Sequence, residues 1–152
     1  MRAASFPANQ LKGDLMSKLI LRLFLTLFGV IAVVTGGTGT FVGMAGLSSF
    51  ADVPFQLDLM SASGAFLENE MRFFAGAWMG IGFMLFYAAL KWQESGVIIR
   101  LAGLAIFIGG IGRVMPLAVG GVVPDAMYPP IFLELIVFPL LVLWDYRLRA
   151  QD

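Results

Sequence analysis

Arg113 and Glu134 are the two residues whose type and position point most directly to chemistry, because each lies inside an apolar stretch rather than at its edge. A guanidinium is a planar donor of hydrogen bonds, and a carboxylate accepts them or carries a proton. Arg72 forms a third charged position, with Glu68 and Glu70 on either side. The chain contains no cysteine and no histidine. Disulfides, thiolate zinc or iron–sulfur sites, imidazole-ligated haem and Ser-His or Cys-His nucleophile pairs are therefore excluded. No catalytic residue is assigned, no metal site is expected and no cofactor is implied.

The elements that must position these charges follow from composition. Of 152 residues, 59% are hydrophobic and 13% charged. A soluble domain is about a quarter charged, and a chain this short cannot bury so much apolar surface in a water-soluble core. The lipid bilayer is therefore the first partner. Net charge is zero and there is no basic tract, so nucleic acid is not an expected partner.

Four apolar segments predict an all-α integral membrane bundle of four transmembrane helices, near 17–46, 69–90, 97–117 and 129–146. Residues 1–16 read as a cytoplasmic tail and 17–149 as the transmembrane domain. Met16, before Ser-Lys-Leu-Ile-Leu-Arg, is a second candidate start. Leu23 to Leu47 runs 25 residues without a charge, enough to span a membrane at about 20 residues per crossing. Gly39 and Gly43, and Gly76 and Gly80, have the close-packing GxxxG spacing. They fit packing within the bundle or a dimer face. Residues 48–67 read as a long connection with a strand-like alternation at Val53, Phe55, Leu57 and Leu59. It is expected to lie against the bundle, as a lid or as a segment on the headgroups. Trp92 is expected as an interfacial anchor.

With four spans, Arg2, Lys12, Lys18, Arg22, Lys91, Arg100, Arg147 and Arg149 share one side, and Arg72 and Arg113 fall on the other. The positive-inside rule then predicts both termini in the cytoplasm. Arg113 is 13 residues past Arg100, and Glu134 is 13 residues before Arg147. At 1.5 Å per residue both lie about 20 Å from that side. A lone charge at such depth is costly and normally faces a partner or a wet cavity. An Arg113–Glu134 ion pair is expected, with Thr35 and Thr38 at the same level. Arg72 is expected at the outer edge, above a polar funnel rimmed by Glu68, Glu70 and Asp125. The pair fits three roles: fixing helix register, lining a ligand pocket, or carrying a proton.

Glu70-Met-Arg72-Phe-Phe-Ala-Gly76-Ala-Trp78, Gly109-Gly-Ile-Gly-Arg113 and Leu133-Glu134-Leu135 with Pro139 and Trp144 resemble the domain of unknown function 4345 family of small bacterial four-helix membrane proteins. The resemblance covers about residues 17–147 and implies the fold, a bacterial inner-membrane location and the charged trio Arg72, Arg113 and Glu134, but no reaction. A weaker likeness is to DoxX-like four-helix proteins, although this chain has no cysteines for thiol chemistry. The first functional expectation is a non-catalytic accessory subunit or scaffold, partnered by a larger membrane-protein complex or a second copy of itself. The alternative is an outward-facing binder or transporter of a small anionic or amphiphilic molecule, with Arg72 and Arg113 as anion contacts.

Overall fold

In lipid every backbone amide and carbonyl must be satisfied within its own segment, which makes long apolar runs helical. The computed structural model describes residues 8–51 and 57–150 and is all-α over them. Its elements are α1 (Ala8–Phe41), α2 (Met44–Ala51), α3 (Ala62–Leu90), a 3-10 turn at Trp92–Glu94, α4 (Gly96–Ala118), a second 3-10 turn at Asp125–Met127, α5 (Tyr128–Phe132), a π turn at Leu133–Val137 and α6 (Phe138–Arg149). Four helical segments are long and apolar enough to cross a membrane: Leu15–Phe41, Ala62–Leu90, Gly96–Ala118 and Asp125–Arg149. Their outward side chains, among them Leu23, Phe73, Leu104 and Leu140, are exposed. Apolar surface on that scale needs a lipid cover.

Several boundaries differ from the sequence expectation. The first helix extends back to Ala8 through the expected tail, although its spanning part starts at Leu15, close to the expected 17, and it ends at Phe41, not near 46. The reason for the early end is Gly43, whose φ of 84° lies in the left-handed region and breaks the helix. The second long helix begins at Ala62 rather than 69, because the Ser61 side chain accepts a hydrogen bond from the Gly64 amide and caps it. Much of the expected 48–67 connection is therefore helical. Val53 and Phe55 lie outside the described residues; Leu57 is half-buried and Leu59 exposed. The fourth span starts at Asp125 and passes through the π turn, where the Phe138 amide reaches back five residues to the Leu133 carbonyl. Pro139 follows directly and has no amide to give the ladder.

The α1 and α3 backbones pack antiparallel and touch. A Cβ on Gly36 would sit 2.6 Å from the Met79 amide nitrogen, and a Cβ on Gly29 or on Gly82 would come within about 3 Å of the other's carbonyl oxygen. The expected pairs serve differently. Gly39 meets Ala75 and Leu47, Gly43 lies in the turn, Gly76 approaches only Thr40, and Gly80 has nothing within 4 Å. The buried stripe on α1 is instead Leu21, Leu25, Gly29, Ala32, Gly36 and Gly39, spaced three and four apart.

The core cluster joins all four spans at the end of the bundle that carries Arg22, Lys91 and Arg149. Leu21, Leu25, Ala88, Trp92, Ile99 and Leu148 belong to it. It ends at the level of Leu85, Ile106 and Phe138. Beyond that level the α1/α3 pair and the α4/α6 pair leave a cavity between them.

Candidate functional site

The cavity measures about 370 Å³, at the small end of the roughly 300–1,000 Å³ of small-molecule sites. Its residues form two tiers. Phe28, Leu85, Ile106 and Phe138 make an apolar floor, and the Phe28 and Phe138 rings meet edge to face at 5.1 Å. Thr35, Trp78 and Arg113 each lie seven residues further along the same helices, and Glu134 joins them from the π turn. Seven residues are nearly two full turns, so the same face is presented again about 10 Å higher. Leu47 and Phe50 of α2, with Ala126 and Met127, close over the polar tier.

Arg113 and Glu134 are in direct contact. The Arg113 Nε–H donates to both carboxylate oxygens of Glu134, at 3.0 and 2.9 Å. The Glu134 side chain is 10% exposed and that of Arg113 42%. A further Arg113 hydrogen points at Met127 Sδ, 3.5 Å away. Gly110 makes room for this approach: a Cβ there would come within 2.9 Å of the Glu134 Cβ and 2.7 Å of Leu135 Cδ2. The π turn surrounds Glu134, and such turns inside helices frequently mark functional positions. Thr35 does not bond the pair. Its hydroxyl donates to the Ile31 carbonyl and accepts from Trp78 Nε1 at 3.0 Å. Thr38 bonds the Val34 carbonyl.

Arg72 does not join this cluster. Its guanidinium caps the end of α1, donating to the carbonyls of Thr40 at 2.9 Å, Phe41 at 3.2 Å and Val42 at 3.4 Å. Glu68 holds it through Nε at 2.9 Å and accepts the Met44 amide, the first of α2, at 3.1 Å. One i,i+4 ion pair thus satisfies the carbonyls that end one helix and an amide that starts the next. A Cβ on Gly43 would overlap this carboxylate, a second reason for glycine there. The expected rim is accordingly divided. Glu68 is tied into the cap, Glu70 sits half-exposed on α3, and Asp125 is exposed at the start of its 3-10 turn.

A third charged group, not singled out in the sequence, lies at the opposite end. Asp145 is 1% exposed. It accepts Trp92 Nε1 at 2.6 Å and Arg149 Nε at 2.8 Å. Arg149 also donates to the Gln93 carbonyl at 2.9 Å and to the Trp92 carbonyl, and its guanidinium lies 4.4 Å over the Trp92 ring. Trp92 is thus buried in a seal between the α3–α4 turn and α6, not placed as an interfacial anchor. The spacing of Asp145 and Arg149 was the available signal, but a four-residue pair at a helix end reads as an ordinary surface pair.

No curated protein and no solved structure matches this chain. The pattern that describes the family of Domain of unknown function (DUF4345) matches residues 20–145, which contain the cavity, the Arg113–Glu134 pair, the Arg72 cap and Asp145. The chain belongs to the family of Domain of unknown function (DUF4345).

Proposed function

We propose that this small multi-pass membrane protein binds a small amphiphilic molecule inside its bundle. One observation carries the reading: a cavity with an apolar floor has the Arg113–Glu134 pair in its upper wall. A pair needed only to fix helix register would be served as well by a packed interface. The orientation that fits the charge distribution puts both termini in the cytoplasm and the cavity in the outer half of the membrane. A bacterial inner membrane fits the same reading.

The accessory or scaffold role draws on a different feature. Gly109 and Gly112 on α4 have no neighbour within 4 Å, so a partner helix could approach that face. The cavity gives the binding role the stronger support.

Native mass spectrometry of the protein released gently from membranes tests the proposal. The parent is expected to carry about one small amphiphile per chain. The double variant Arg113→Met with Glu134→Leu is expected to fold and to carry none. A parent that holds no amphiphile, but co-purifies in fixed ratio with a larger membrane protein, would overturn binding in favour of the scaffold role.

A further inference from the structure

We infer that the cavity selects a single-chain amphiphile with a carbonyl-type head and a tail of about five to eight carbons, an assignment that rests on the binding role above. The head follows from the hydrogen bonds of the polar tier. Trp78 donates to Thr35, whose own hydrogen goes to the Ile31 carbonyl, and Glu134 has both oxygens on Arg113 Nε. Among the described residues Arg113 is the group left with donors: of five N–H bonds, Nε–H serves Glu134 and one Nη1 hydrogen meets only a thioether, a weak acceptor. The head must therefore accept hydrogen bonds, displacing Met127 Sδ from the guanidinium.

Charge narrows the head further. Arg113 and Glu134 together are neutral, so a phosphate would place uncompensated negative charge beside a buried carboxylate in an apolar wall. A ketone, an ester, a quinone carbonyl or a protonated carboxylic acid brings no such charge. All present one carbonyl oxygen to Arg113.

Tail length follows from the tiers. Arg113 lies seven residues above Ile106, about 10 Å, and Glu134 four residues from Phe138, about 6 Å. An extended chain advances roughly 1.25 Å per carbon, the projection of a carbon–carbon bond of about 1.5 Å. Five to eight carbons thus reach from the polar tier to the ring pair of Phe28 and Phe138. The 370 Å³ volume leaves no room for a two-chain phospholipid. A longer tail would have to displace the buried core below the floor, where Leu25, Ala88 and Ala102 lie.

The test uses the full chain in lipid nanodiscs doped at one mole fraction with straight-chain 2-ketones, carboxylic acids or alkyl phosphates of about four to fourteen carbons. Bound molecules are counted by native mass spectrometry. Because the tail starts in lipid, length should matter through fit rather than through escape from water. Counting the carbons of the head, 2-ketones are expected to bind best at about seven to ten carbons and acids at about six to nine, and both roughly tenfold more weakly at fourteen, in keeping with the cost of overpacking. Alkyl phosphates are expected to be retained least. Ile106→Ala deepens the floor and should move the optimum to longer chains. Ile31→Phe narrows the cavity between the tiers and should move it to shorter ones, so a folding failure in either variant leaves the other to decide. Equal retention at all lengths would overturn the length selection while leaving the binding role intact. A preference for phosphates would overturn the head assignment. Retention of no amphiphile of any class would overturn the binding role itself.

Discussion

Arg113 and Glu134 differ in exposure, at 42% and 10% for their side chains, and the difference sets an asymmetry between variants. Arg113→Ala strands a buried carboxylate, a change that typically costs about 3–5 kcal/mol. Glu134→Ala leaves a long side chain that can turn its guanidinium toward water, and is expected to cost less. The double variant Arg113→Met with Glu134→Leu needs no solvation and is expected to recover most of the folded yield. Thermal unfolding in detergent of the four proteins measures this order. Equal stability of Arg113→Ala and the parent would show that the pair contributes nothing. Arg72 acts by a different route, as a cap on carbonyls at the end of α1. Arg72→Met is expected to destabilise by about 1–3 kcal/mol, as for unsatisfied polar groups. It should leave amphiphile binding at the cavity in place, which separates a helix cap from an anion contact.

At the scale of the element, glycine serves two purposes that a sequence pattern does not separate. Gly110 lets α4 approach Glu134, and a methyl group there would press on the Glu134 Cβ and on Leu135. Gly109, one residue earlier, faces open space. Gly110→Ala is expected to destabilise by about 1–3 kcal/mol, the cost of overpacking, and to weaken amphiphile binding by moving Glu134. Gly109→Ala is expected to stabilise α4 by about 0.5–1 kcal/mol, the ordinary helix preference for alanine. Paired unfolding and binding measurements check both, and a Gly109→Ala loss as large as that of Gly110→Ala would point to a partner seated on that face. The π turn at Leu133–Val137 belongs to the same scale: it rotates the helix around Glu134 just before Pro139.

At the scale of the molecule the two ends of the bundle are built differently. One is sealed by Trp92, Asp145 and Arg149 over a packed core. The other holds the cavity beneath α2 and the Asp125–Met127 turn. A site with one sealed end suits a binder open to one side better than a channel. The orientation is checked by reporter fusions at residues 60, 94, 122 and 152. Those at 94 and 152 are expected in the cytoplasm, and an external signal from either would reverse it.

The sequence by itself determined the helical membrane fold, because backbone groups in lipid have no partner but their own helix. It also placed Arg113 and Glu134 at one depth, since the helical rise is constant and both lie 13 residues from a charged boundary. What it could not contain was rotation and local satisfaction. Arg72 and Arg113 look equivalent along the chain, yet one closes a helix end through carbonyls about thirty residues away, and the other faces a cavity. Gly39 and Gly43 share one motif, yet one packs and the other turns the backbone. Asp145 reads as a surface charge until Trp92 arrives from another helix to bury it. Each of these depends on which face meets which neighbour, and that is decided only when all four spans pack together.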